Sequence, residues 1–152
     1  MGMSIIRSAQ ASWSGTVPDG GGLLALGSGA FEGPFTLRAR VEDGQHTTNP
    51  EELIGLANAA CYTMSLADLL STEGHPPDDL ETSARVHLEQ TDTGWSITRI
   101  ELHTNGSVQG VDAATFEQLA QQAKATCPVS RALAGTEITL VAELAPNQRG
   151  AS

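Results

Sequence analysis

At 152 residues the chain can bury one sizeable core but hardly two, and 39% apolar against 17% charged residues is a globular balance rather than a disordered or collagenous one. Eighteen acidic and eight basic side chains leave a formal charge of −10, which argues against a nucleic-acid surface, since that needs clustered Lys and Arg. Lys124 is the single lysine, so no polybasic run is available for an anionic membrane.

In chain order, Met3–Trp13 is predicted as a strand, and Val17–Gly22 (VPDGGG) has the Pro, Asp and Gly of a turn. Leu23–Leu26 and Phe35–Val41 are predicted strands. In the second, Phe35, Leu37, Ala39 and Val41 share one face while Thr36, Arg38 and Arg40 share the other. Two arginines on one sheet face point at solvent, a partner or a site, not at an apolar core.

The period then changes. Asn49-Pro50-Glu51-Glu52 starts a helix, with Asn as N-cap, Pro at the first helical position and Glu52 where it can reach back to the cap. The helix is expected to run to about Thr72, ended by Gly74, Pro76 and Pro77. Leu53–Leu70 is interrupted by Asn58, Tyr62, Thr63, Ser65 and Asp68, the pattern of a buried helix rather than a membrane span. Its apolar residues nevertheless wrap most of the circumference. Short sheets of one chain cover such a helix poorly, so an oligomer is expected.

Leu80–Gln90 and Trp95–Thr104 alternate as strands of a hairpin turning at Thr91-Asp92-Thr93-Gly94. Asp112 caps a helix over Ala113–Thr126; Pro128 breaks it at Cys127, a short helix follows over Val129–Ala134, and Thr136–Leu144 is a last strand. This order defines an α+β fold with antiparallel sheets, a single domain over 1–152 whose tail from Ala145 to Ser152 is expected to fray.

Few residues could carry chemistry. Cys61 lies in the long helix beside Ala59 and Ala60, where a small apolar filler also fits. Cys127 stands at a helix break ahead of a new helix, where unpaired N–H groups favour a thiolate. Glu52 is accounted for by the cap, leaving Glu51 open to a further role. Ten residues along one helix is roughly 15 Å, so Glu51 could act with Cys61 only across two subunits or through an arginine. His46, His75, His87 and His103 lack metal-ligand spacing, and no cofactor motif is present. The first thirty residues carry Arg7 and a glycine-rich turn rather than a signal-peptide core, so a cytoplasmic protein is expected.

Thr48-Asn49-Pro50-Glu51-Glu52-Leu53, then Ala59-Ala60-Cys61, then Cys127-Pro128-Val129-Ser130 at this separation resemble the OsmC/Ohr family of thiol peroxidases. Arg40-Val41-Glu42 ahead of the Asn-Pro-Glu-Glu helix is closer to the OsmC branch, and the resemblance runs from Trp13 to about Leu144. It implies an intertwined homodimer in which antiparallel sheets wrap long central helices. It also implies reduction of organic hydroperoxides, with Cys61 attacking, Cys127 resolving the sulfenic acid as a disulfide, and Glu51 and an arginine completing the site. Arg40 is the better match, with one extra residue around Gln45-His46-Thr47; Arg38 is the alternate. A dithiol reductant, a lipoyl protein or a small dithiol, would reopen the disulfide, and Tyr62, Met64 and Phe35 are expected near an apolar pocket. Two other readings stand beside the enzyme: a thiol redox sensor, and a binding module for apolar ligands at the dimer interface.

Overall fold

The computed structural model describes residues 2–146; of the tail expected to fray, all but Ala145 and Pro146 lies outside the described residues. Two compact units meet within one continuous helix, Met1–Leu53 and Ile54–Ser152.

The first unit is an antiparallel meander of β1 (Ala9–Ser14), β2 (Gly21–Leu26) and β3 (Glu32–Phe35), turning at Gly15 and Gly29, both at positive φ. The Trp13 and Phe35 rings pack with centroids 5.2 Å apart. Beyond Phe35 the expected strand is not formed. Thr36 caps a short helix, α1 (Leu37–Val41), its Oγ1 accepting from the Ala39 N–H at 3.2 Å. Seven residues with alternating polarity fit a strand, but Leu, Arg and Ala favour a helical turn once a cap is supplied. The correction separates the two arginines: Arg38 is exposed and bonds Glu42 one turn on, at 3.1 Å, while Arg40 turns to Glu51.

Helix α2 (Pro50–Thr72) begins as its sequence requires, Asn49 Oδ1 accepting from the Glu52 N–H at 2.8 Å. Asn49 Nδ2 also donates to the Ala39 carbonyl at 3.0 Å, which fixes α1 at the helix start, and the Glu52 side chain stays exposed. Length and composition alone would let α2 cross a bilayer. In the fold its row Tyr62, Leu66 and Leu70 is buried in the core of the second unit. The opposite side exposes Leu56, Ala57, Ala60 and Met64.

In the second unit, β4 (Asp79–Thr91) and β5 (Gly94–Ser107) form a long hairpin, with Gly94 at positive φ and a bulge at His87/Leu88. The last strand, β6 (Glu137–Leu144), pairs with β5 in parallel, from Arg99↔Glu137 to Gly106↔Leu144. This corrects the expectation of wholly antiparallel sheets. Alternation identifies a strand but not its direction, and the crossover through α3 (Ala113–Thr126) and α4 (Pro128–Ala132) returns the chain to the near end of β5.

Along β5, Ile100, Leu102 and Thr104 face the core with Phe116, Leu119, Ala120 and Ala123 of α3. Arg99, Glu101 and His103 take the other face, where Glu101 bonds His87 at 2.8 Å and His103 bonds Glu143 at 2.7 Å. The His87 hydrogen bond first, then the Arg99 and Arg85 charges, hold the Glu101 carboxyl below the usual range against some burial. Asp112 caps α3, accepting from the Thr115 N–H at 2.7 Å, which holds its carboxyl low as well. A chain of hydroxyls then ties α2 to the sheet: Thr63 bonds Thr82 at 2.7 Å, and Thr82 bonds Thr104 at 2.9 Å.

Gly106 brings β5 against α3, since a Cβ there would lie 2.6 Å from Phe116 Cζ and 3.0 Å from Leu80 Cδ2. Phe116 is fully buried and cannot swing aside. Gly106→Ala is therefore expected to destabilise the protein by about 1–3 kcal/mol, read as a lower urea midpoint with an unchanged slope.

Candidate active site

Two pairs of side chains stand out, one in each unit. The second unit holds the thiols. Cys61 projects half-buried from the middle of α2, and Cys127 is fully buried at the junction of α3 and α4. At that junction Cys127 ends one helix and starts the next: its N–H donates to the Ala123 carbonyl at 2.9 Å, and its ψ of 122° turns the chain out of helical geometry. Pro128 requires such a turn, because its ring disfavours helical ψ in the preceding residue. The sulfur then caps the new helix, accepting from the Ser130 N–H at 3.4 Å.

Both cysteines are free thiols, and they are near enough for each to act on the other's ionisation. Burial pushes the Cys61 thiol up, the Val129 N–H pulls against this, and the neighbouring Cys127 adds to the rise. Burial also opposes ionisation of Cys127. There the Ser130 hydroxyl and N–H, the Cys61 thiol and the Val129 N–H together outweigh it and hold Cys127 below the ordinary thiol range. Within one chain Cys127 is thus the thiol more ready to ionise.

Asn58, one turn before Cys61, is fully buried and donates from Nδ2 to Ser130 Oγ at 2.8 Å. Sequence reasoning assigned no role to Asn58. The available signal was an amide in the otherwise apolar run Leu56-Ala57-Asn58-Ala59-Ala60-Cys61.

The first unit holds the guanidinium–carboxylate pair. Arg40 directs Nε (2.8 Å) and Nη2 (2.6 Å) at the single oxygen Oε1 of Glu51. Both bonds fall on one oxygen, so the guanidinium does not span the carboxylate. Glu51 is 6% exposed, and its Oε2 is buried without a partner, so one acceptor remains open to an incoming donor. Arg40 also lines a mostly apolar cleft of about 190 Å³ with Trp13, Val17, Phe35, Leu37 and Pro50. Phe35, expected near an apolar pocket, lines this cleft. Tyr62 lies wholly in the core, and Met64 points to the surface, 74% exposed.

Two free thiols brought near each other, one on a helix and one at a helix junction, mark a thiol-bearing α+β protein. A family model described as OsmC-like protein matches residues 42–141. The chain is 43% identical over 139 residues to peroxiredoxin OsmC of Escherichia coli (strain K12), covering 91% of this chain and 96% of that protein. It is 33% identical over 104 residues to the organic hydroperoxide resistance protein OhrA of Bacillus subtilis (strain 168), covering 66% and 71%. It shares the fold of an organic hydroperoxide resistance protein from Elizabethkingia anophelis, with TM-score 0.75 at 22% identity over 94% of this chain and 100% of that one. The chain belongs to the OsmC-like family.

The nearness of the thiols predicts that a mild thiol oxidant closes a Cys61–Cys127 disulfide within one chain. Non-reducing electrophoresis should show no covalent dimer, and mass spectrometry of the intact chain should show the loss of two hydrogens.

Proposed function

We propose that the protein is a cysteine-based peroxidase that reduces organic hydroperoxides to alcohols, working as a homodimer in a reducing, cytoplasmic compartment. The observation that carries this reading is that two free thiols 66 residues apart in sequence come near enough in the fold to act on each other's ionisation. The relatives named peroxiredoxin OsmC and organic hydroperoxide resistance protein support the substrate class.

Cys61 is the less buried of the two sulfurs and is the attacking thiol. Its thiolate forms an S–O bond to the peroxide while the O–O bond breaks; the leaving alkoxide takes a proton and departs as the alcohol. Cys61, oxidised by two electrons, is left as a sulfenic acid. The Cys127 thiolate then attacks that sulfur: the S–S bond forms, the S–O bond breaks, and hydroxide leaves and takes a proton as water. A dithiol, either a lipoyl protein or a small molecule, returns two electrons and two protons to reopen the disulfide.

Burial raises the Cys61 pKa, so the attack needs a cation beside the sulfur. Arg40, held by Glu51, supplies it and can donate to the peroxide oxygens. Since ten residues of helix separate Glu51 from Cys61 by roughly 15 Å, the Arg40–Glu51 pair serves the thiol of the second copy. The exposed row Leu56, Ala57, Ala60 and Met64 gives α2 an apolar face for that copy to cover. The cleft beside Arg40 favours an organic group over hydrogen peroxide, which has nothing apolar to bury.

With cumene hydroperoxide and a dithiol, Cys61→Ser is expected to abolish consumption; a variant as fast as the parent would overturn the reading. Cys127→Ser should complete a first turnover and then accumulate sulfinic and sulfonic forms of Cys61, read by mass. The attack rate should rise with pH as the thiolate fraction grows toward the raised Cys61 pKa. Arg40→Met should slow the attack roughly a hundredfold at neutral pH and move that rise to higher pH.

A further inference from the structure

We infer that the protein selects aryl hydroperoxides, and that Trp13 is the specificity-determining residue, forming with Phe35 an aromatic corner beside Arg40. The inference rests on the peroxidase reading above and names the substrate class of that same site.

The corner is built by register. β2 is the middle strand of its sheet, and its Gly22 pairs with Trp13 of β1 on one side and Phe35 of β3 on the other. Residues directly opposite each other share a sheet face, so the two aromatic side chains flank a residue that has none. Their ring centroids lie 5.2 Å apart with the planes at 59°. A Cβ at Gly22 would stand 2.5 Å from Phe35 Cε1 and would also meet the Ser12 carbonyl, so the Phe35 ring occupies the space that a side chain there would take. The indole is fixed at its other end, where Nε1 donates to the carbonyl of Gly15 at 2.9 Å, the glycine turning at positive φ. With that donor occupied, Trp13 presents carbon to the cleft.

Covering a bare glycine is a structural use for the Phe35 ring. The Trp13 ring stays half-buried and lines the cleft with Phe35, Val17, Leu37 and Pro50, next to Arg40. Aromatic rings favour a neighbour set edge-to-face or offset, and such pairs add several-fold in affinity beyond the area they bury. Two fixed rings tilted against each other offer a third ring both kinds of contact. An apolar cavity of about 150 Å³ holds benzene. The cleft's volume of about 190 Å³ thus takes one ring with a short branch and leaves most of a long acyl chain outside. The polar end falls to Arg40: Nε and Nη2 are committed to Glu51, and Nη1 has hydrogens to give to the peroxide oxygens.

The test compares cumene hydroperoxide with its cyclohexyl counterpart, which has the same branch and at least as much apolar surface but no π face. With a dithiol in excess, kcat/KM should favour the aryl substrate by about fivefold, chiefly through KM. Trp13→Phe should keep most of that ratio, and Trp13→Leu should bring it to parity. A merely structural role for Trp13 would slow both substrates together and leave the ratio standing. A second readout needs no turnover. The two tryptophans are Trp13 and Trp95, and Trp95 is exposed beside the β4–β5 turn. In a Trp95→Phe background the fluorescence of Trp13 should change on titration with cumyl alcohol, saturating at lower concentration than with the cyclohexyl alcohol. If Trp13→Leu does not fold, Phe35→Leu opens the corner from the other wall and should lower the ratio likewise. A ratio at parity in the parent, or one unmoved in folded Trp13→Leu, overturns the inference. So does faster turnover of a linear hydroperoxide of the same carbon count, its chain running on along the sheet face past Ala11 and Leu24. Peroxide consumption that persists without Cys61 would instead mark failure of the peroxidase reading, and the alcohol titration would still report on the corner.

Discussion

The capping of α4 by the Cys127 sulfur is the interaction on which the site depends. Pro128 has no N–H and turns Cys127 out of the helix, so the chain restarts with its first donors free. In most helices a serine or aspartate oxygen meets them; here a sulfur does, and sulfur is a weak acceptor unless it carries charge. Helix start and thiolate therefore stabilise each other. The same break ends α3 at the point where Phe116, Leu119, Ala120 and Ala123 have finished packing, which leaves Cys127 fully buried in the core at the start of α4.

Holding Cys61 opposite that sulfur is a matter of register. The row Tyr62, Leu66 and Leu70 seats α2 in the core, and Gly55 lets it come close to β4, where a Cβ would lie 3.0 Å from Val86 Cγ2. The hydroxyl chain from Thr63 through Thr82 to Thr104 adds direction, since hydrogen bonds fix position along the helix axis where apolar contacts tolerate sliding. Thr63 follows Cys61 by two residues, so the constraint acts close to the thiol.

What could be read from the chain divides along physical lines. The caps at Asn49 and Asp112, the break at Pro128 and the β4–β5 hairpin are local, carried by residues within a few positions, and each appears where it was expected. The strand expected over Phe35–Val41 became a cap and a helical turn because seven residues of alternating polarity do not separate the two, and Thr36 is ambiguous until its Oγ1 finds the Ala39 N–H. The parallel pairing of β6 is non-local and leaves no trace in its alternation. For the site, spacing and motif singled out both cysteines, Arg40 and Glu51. They gave no role to Asn58, whose part depends on a bond to a residue 72 positions away.

The donors gathered on Cys127 have a second face in redox thermodynamics. They stabilise an anion that exists only in the dithiol form, so they favour that form and shift the couple's reduction potential toward the oxidising side. They also make Cys127 the better leaving group when an external thiolate attacks Cys61. A disulfide formed here would be easily reset, a property suited to a carrier that cycles rather than to a bond that locks a fold.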